Sequence, residues 1–431
     1  MVAGFDRYFQ GAPYFWDEDA RADRSPGEFY QLDVEMSLVE QEEVFAAMEE
    51  LFCRRAGEFS EWEVSPAPFL RIPYAGALCR FGTDKPDLHF GLEIEEVSGF
   101  FANSSFRLFR QVVEEGGVVR VLCVPALAQK PHSFLDSLDR FVRSLVGKGM
   151  AYLIFTEEGA EDPIASALSR EEVEGLRGLS GAEACSALLL LAGQTSEDGT
   201  LAGKLRLHLA DLLGLRQERA YRFCWIVDFP MYEWEEERGR VAFSHNSFSM
   251  PQVGMEGLER KPPSEILAHQ YDIFCNGMDL SSGAILNHRP KDMNKAFEVA
   301  GSSREVVDEK FGGMFRAFQC GAPHHGGIAP GIDRIVMLLA DEPNIREVIA
   351  FPLNQQGQDL LVGAPSPVSA RQVEELYLSV TTRFVGVGKG LTSLILACHP
   401  WQAARPDSSG LSSFGQRSRE SAQRAFPRHW L

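Results

Sequence analysis

Apolar and polar residues alternate through "YQLDVEMS": Tyr30, Leu32, Val34 and Met36 fall on one side, Gln31, Asp33 and Glu35 on the other. This period of two predicts a strand with three polar side chains on one face. A buried carboxylate is costly without hydrogen bonds or a cation, so that face is either partnered or wet. Upstream, "FDRYFQGAPYFW" is aromatic and strand-prone. Between the two segments, Asp17 to Arg24 crowds four acids and two arginines before a turn at Pro26–Gly27. The pattern reads as strand, long charged loop, strand, and a charge run is ordinarily a solvated face.

The period then changes. Leu38, Val44, Phe45, Met48, Leu51 and Phe52 recur at three- and four-residue spacing and predict an amphipathic helix over 38–55 that packs the strand pair. Beyond 99, "VVRVLCVPAL", a helix opened by Ser133, "AYLIF", "CSALLLLAG" and a helix through Leu201, Leu205 and Leu212 alternate, which predicts an α/β module over 99–218. "RFCWIVDFPMYEW" and "VAFSHNSF", joined by "EEERGR", read as a hairpin, and a helix is expected near Ser264–Gln270. "HHGGIAPGIDRIVMLL" reads as a short strand, a break and a helix from Ile332. From 381 on, seven basic residues face two acids in a Ser-, Gly-, Arg- and Pro-rich stretch, which predicts a tail that is disordered or foreign to the fold.

With 431 residues, 45% of them hydrophobic, the chain has material for a large core and two or three domains. Eight scattered cysteines without a CxxC pair signal neither a disulfide framework nor a structural zinc. A net charge of −19 argues against a general nucleic-acid coat and leaves only a local basic groove. No apolar run of about 18 residues and no signal-like start occur, so a cytoplasmic protein without a membrane partner is expected.

Two places carry candidate chemistry. In "APGIDR", Gly331 permits a sharp entry to a helix and Arg334 lies in its first turn. Free amides, the helix dipole and a guanidinium together suit a phosphate, although a helix with a paired surface arginine looks the same. Asp272 and Asp279 in "YDIFCNGMDL" are suited to Mg²⁺ held by a nucleotide, because magnesium takes one or two carboxylates plus phosphate oxygens. His245 and the pair His324–His325 read as hydrogen-bonded structural histidines rather than metal ligands.

Taken in order, these pieces resemble the bacterial type of aspartyl-tRNA synthetase, a class II enzyme. "FDRYFQ…DEDARADRSPGEFYQLDVEMS" is similar to the second class II motif and "GGIAPGIDRIVMLL" to the third. "TDKPDLHFG", "FSHNSFSMPQ", "NGMDLSSGAI", "NHRP" and "IAFPLNQQGQDLLVGAPSP" fit the same family. The resemblance covers about 1–378. It implies an α+β fold, a six-stranded antiparallel sheet flanked by helices, with the catalytic core in two parts (1–98 and 219–380) around an inserted domain (99–218) and an unrelated tail (381–431). It also implies activation of aspartate by ATP with Mg²⁺ and transfer to tRNA(Asp), with tRNA(Asn) as a further acceptor in some members, by a homodimer.

Carried over by position, the ATP contacts are Trp16, Asp17, Glu18, Ser25, Phe29 as the adenine stack, Asp279, Gly331, Ile332, Asp333 and Arg334. Arg334 and Glu18 are the catalytic pair, Asp272 and Asp279 the metal carboxylates, and His245 and Leu286 the aspartate-binding positions. Two departures stand out. Trp16 occupies the place of the arginine that grips the α-phosphate, and Leu286 that of the arginine that binds the substrate's side-chain carboxylate. The family's anticodon-binding barrel and its first motif, which builds the dimer, have no counterpart here, so an impaired ligase without the family dimer is expected. The alternative is a non-catalytic module that binds ATP or an acceptor stem, or that partners an intact synthetase. A related lysine or asparagine enzyme fits the inserted module less well.

Overall fold

The computed structural model describes residues 1–15, 27–146, 149–156, 160–161, 164, 167–193, 195–381 and 395–397. The charged run Asp17 to Arg24 lies outside them. The residues group into two compact units, the first made of Met1–Tyr14 and Phe29–Glu342, the second of Phe15–Glu28 and Pro343–Leu431.

The first unit is built on a seven-stranded sheet in the order Arg7–Phe15, Glu28–Ser37, His325–Ile328, Met278–Leu286, Leu267–Cys275, Phe223–Pro230, Leu70–Pro73. Pairings from Glu28–Ser37 across to Phe223–Pro230 are antiparallel. Leu70–Pro73 adds a seventh strand, parallel to its neighbour, where six antiparallel strands were expected. At four residues it is too short to show alternation.

The alternating segment is the strand Glu28–Ser37. The helix behind it runs over Gln41–Phe59 and starts three residues later than expected, because Leu38 takes a positive φ of 57° where the strand ends. Glu40 and Glu43 then cap the helix reciprocally. Its buried face carries Val44, Phe45, Met48 and Phe52, and Phe45 stacks on Trp225 at 4.0 Å between ring centres. Glu49 is buried on the same face. It is tolerated there because it accepts from Trp225 Nε1 at 2.9 Å, Phe69 N at 3.1 Å and Arg71 Nη1 at 2.8 Å.

Two expectations fail. The helix placed near Ser264–Gln270 is a single turn, Pro263–Glu265, followed by the strand Leu267–Cys275. That strand is buried along almost its whole length, so it lacks the period that separates a strand from a buried helix. The expected hairpin is confined to Tyr232–Glu235 and Arg240–Phe243, while Phe223–Pro230 joins the large sheet.

A second sheet of five strands runs in the order Ile94–Glu96, Val118–Val124, Ala187–Gly193, Ala151–Phe155, Ala160–Glu161, and every pairing is antiparallel. It begins five residues before the expected boundary at 99. Alternating strands and helices were legible there, but strand direction was not. One face packs Leu122, Leu189 and Leu205, the other Val121, Leu188 and Leu176. The helix Tyr74–Phe81 ends at Gly82 (φ 68°), where an added Cβ would lie 2.1 Å from Gly199 O and 2.7 Å from Gly203 N. In the second unit, Ser379–Thr381 pairs with Ile395–Ala397. The rest of the expected tail lies outside the described residues.

Candidate active site

The site grows from a hairpin. Leu267–Cys275 and Met278–Leu286 are joined by Asn276 and Gly277, both at positive φ (56° and 75°), the dipeptide that two-residue hairpins favour. The register sets Asp272 opposite Ser282 and Phe274 opposite Asp279, with a bulge between. Asp272 is 8% exposed and its Oδ1 has no partner. Burial, then the neighbouring Asp279, pushes its carboxyl well above the usual carboxylate range; a Ser282 hydrogen bond and Lys85 oppose the shift.

Asp279 sits between cations: Lys85 Nζ and Arg334 Nη1 each lie 3.5 Å from its Oδ2. Arg334 Nη1 also donates to the Asp279 carbonyl at 2.8 Å. The start of the helix Ile332–Leu339 is held against two strands. Gly331 N donates to Leu280 O, Gln31 Nε2 to Ala329 O and Leu32 N to Pro330 O, each at 2.9 Å, and Tyr30 N donates to Asp333 Oδ2 at 2.7 Å. Asp333 is thereby committed to the neighbouring strand and positions the helix start. Gly331 has φ −73°, and a Cβ there would meet nothing closer than 3.7 Å. The backbone there suits residues other than glycine as well.

His245 meets the ring of Phe229 edge-on at 5.1 Å and that of Tyr74 at 6.5 Å. Burial lowers its pKa; Glu233 and Asp84 pull it up, and Lys85 adds to the lowering. The same Asp84 and Lys85 act on Asp272, so His245 borders the acidic cluster. Phe29 stacks on Tyr14, with ring centres 6.1 Å apart and planes 19° from parallel. Leu286 lies at the far end of its strand from Asp279. There it lines a separate pocket of about 480 Å³ with Glu35, Tyr8, Phe318 and His325. Trp16, Asp17, Glu18 and Ser25 lie outside the described residues.

The structure thus gathers Asp272, Asp279 and Arg334 with His245 at the border, and leaves Leu286 apart. Lys85 and Asp84, not singled out in the sequence, complete the cluster. The sign in the sequence was "TDKPDL", a lysine set among acids. No group of three or more His, Cys, Asp or Glu side chains suited to a metal occurs among the described residues. Two carboxylates, one with an orphaned buried oxygen, do fit Mg²⁺ that keeps most of its shell as water and phosphate.

Paired carboxylates, a lysine and a helix-start arginine on an antiparallel sheet suit a metal-bearing phosphate compound. The chain belongs to the class II tRNA synthetases (D, K and N), whose family model matches residues 1–355. It is 52% identical over 382 residues to the aspartate–tRNA(Asp/Asn) ligase of Gluconobacter oxydans (strain 621H), covering 88% of this chain and 64% of that one. To the enzyme of that name from Acidiphilium cryptum (strain JF-5) it is 54% identical over 381 residues, covering 88% and 64%. For Zymomonas mobilis subsp. mobilis (strain ATCC 31821 / ZM4 / CP4) the values are 51% over 387 residues, 89% and 64%. The chain spans a little under two thirds of the length of these relatives. Among solved structures, the aspartyl tRNA synthetase of Entamoeba histolytica aligns with 81% of this chain and 48% of its own at 18% identity, with a TM-score of 0.40, too low to argue from.

Proposed function

We propose that this chain is the ATP- and aspartate-handling part of an aspartate–tRNA ligase, impaired by its substitutions at 16 and 286. The observation that carries the reading is the Asp279 carboxylate held between Lys85 and Arg334 with buried Asp272 beside it. Asp272 and Asp279 would hold Mg²⁺, which when bound neutralises phosphate charge. Arg334, already at the helix start, exchanges its contacts with Asp279 for phosphate oxygens. His245 stays neutral and walls the acidic cluster.

In the reaction, a carboxylate oxygen of aspartate attacks the α-phosphorus of ATP; the new O–P bond forms as the bond to pyrophosphate breaks, giving aspartyl-adenylate. A ribose hydroxyl of tRNA(Asp) or tRNA(Asn) then takes the aspartyl group and AMP leaves. Chemistry of this kind depends on positioning and on donors aimed at developing charge. Leu286 has no donor at all, and Trp16 offers one neutral indole N–H in place of a charged guanidinium fork. Losing one such donor typically costs on the order of 10²–10³ in rate, and two losses nearly silence the site. A second reading, a module that binds nucleotide without catalysis, is favoured by the apolar setting of Leu286.

Two measurements test this. Calorimetry should show weak Mg²⁺-dependent ATP binding that Arg334→Ala removes, and aspartate-dependent pyrophosphate–ATP exchange should run far below that of an intact relative. Binding indifferent to Arg334→Ala would sink the site assignment. Exchange near the intact rate would sink the impairment.

A further inference from the structure

Asp84 and Lys85 reach the acidic cluster from a segment, 82–93, that forms neither helix nor strand. Such a segment has no ladder of its own to satisfy its carbonyls or to fix its course. One side chain does both here. Arg206, 1% exposed on the helix Thr195–Leu213, donates Nη2 to Asp87 O at 2.8 Å and to Phe90 O at 3.2 Å, and Nε to Leu92 O. Its guanidinium carbon lies 4.0 Å from the centre of the Phe90 ring and 5.0 Å from that of Phe81, so the group is clamped between rings as well as bonded.

The Asp87 side chain is fixed at the same place. It accepts from Arg216 Nε and from His89 N at 3.0 Å each, and His89 Nε2 in turn lies 3.1 Å from Ala220 O. Asp87 also abuts the turn between the two metal carboxylates: a Cβ built at Gly277 would lie 3.3 Å from its Cβ. The helix that carries Arg206 packs Leu201, Leu205 and Leu209 on Leu122 and Leu189 of the five-stranded sheet. That sheet is thereby tied to the segment that carries Lys85.

We infer that Arg206 is a positioning residue for the candidate active site: from the helix on the five-stranded sheet it holds segment 82–93 so that Lys85 stands at Asp279. The inference rests on the proposed nucleotide site for its use. When Asp279 turns to Mg²⁺, Lys85 is freed for phosphate oxygens, and a lysine held close needs no search for them. Burial lowers the pKa of Arg206 to about 10 against the pull of Asp87 and Glu93, with Arg216 adding to the lowering, so the guanidinium is charged at pH 7. Lysine is no substitute at 206. An ammonium neither lies flat between two rings nor spans three carbonyls in one plane.

Calorimetry of the full chain with Mg²⁺ and ATP reads the effect. Arg206→Lys should weaken ATP binding about tenfold, Lys85→Met by a similar factor, and the double variant should bind no more weakly than Lys85→Met alone. A readout without ligand separates placement from stability. After reductive ¹³C-methylation, the Lys85 signal, identified by its loss in Lys85→Arg, should move when Asp279→Asn removes its partner, and should not move in the Arg206→Lys background. Should Arg206→Lys fail to fold, Arg216→Gln, at a part-exposed side chain that grips Asp87, should blunt the same response and weaken ATP binding about threefold. ATP affinity within about twofold of the parent, losses that add in the double variant, or a Lys85 signal that answers Asp279→Asn equally in both backgrounds would overturn the inference. A parent chain that binds no ATP would remove the nucleotide site instead, and the Lys85 signal would still decide whether Arg206 places that lysine.

Discussion

Replacing Glu35 with glutamine should stabilise this protein, and by an amount that grows with pH. In the folded chain the Glu35 carboxyl titrates at about 7 against an ordinary value of 4.5. Its folded pKa is raised, so the folded state holds this proton more tightly than the unfolded chain does. The associated stability is complete below the ordinary pKa and drains away as pH rises toward 7. At about 1.4 kcal/mol per pH unit, the loss is about 1.4 kcal/mol by pH 5.5 and about 3 kcal/mol by pH 8. Glutamine carries no such term. The advantage of Glu35→Gln over the parent should therefore widen by about 2 kcal/mol between those two pH values. The comparison must be a difference between two proteins, because His245, His269, His288 and His325 are all held below their ordinary pKa by burial. Their contribution has the opposite sign: it is present above the ordinary histidine pKa and lost as pH falls through it, and it cancels in the difference. Paired urea melts at about pH 5.5 and pH 8 read the quantity directly. Stability differences that stay within about 0.5 kcal/mol of each other at the two pH values would show that Glu35 is paired or solvated, and the reasoning would fail.

Asp272→Asn should lose Mg²⁺-dependent ATP binding, because the amide offers no carboxylate to the cation; retention of that binding in calorimetry would remove Asp272 from the metal pair. Glu49→Ala should cost about 3–5 kcal/mol by leaving Trp225 Nε1 and Phe69 N without an acceptor and Arg71 with Glu42 as its one remaining carboxylate, and a melt within about 1 kcal/mol of the parent would refute it. Gly331→Ala should be neutral or gain about 0.4–1 kcal/mol, because φ and space there suit any residue. Gly82→Ala, at positive φ against the backbone of Gly199, should be strongly destabilising; the reverse order of these two glycine variants in thermal melts would contradict the backbone geometry.

What the sequence made legible follows from how local each signal is. Glu28–Ser37 sets Val34 and Met36 toward the core, and its alternation is written in the sequence; Leu267–Cys275 is buried almost throughout, Gln270 and Asp272 included, so its residues show no period of two and part of it reads as a helix. The hairpin that brings Asp272 and Asp279 together is signed by Asn276–Gly277, the dipeptide that two-residue hairpins favour. "TDKPDL" marked Lys85 as a lysine among acids but not what it faces, because its partner Asp279 lies far along the chain and only the closed sheet brings them within 3.5 Å.

Glu35 shows the converse. The period-two pattern placed a carboxylate on a strand face and chemistry said it needed a partner, yet the sequence could not show that Gly327 would admit it to a pocket walled by Leu286. A local rule stated the requirement, and the tertiary structure left it unmet. A buried acid with no cation raises its pKa and keeps its proton. Asp279 differs in its surroundings, because Lys85 and Arg334 flank it in the same structure. One strand, Met278–Leu286, thus carries a satisfied carboxylate near its start and faces an unsatisfied one near its end.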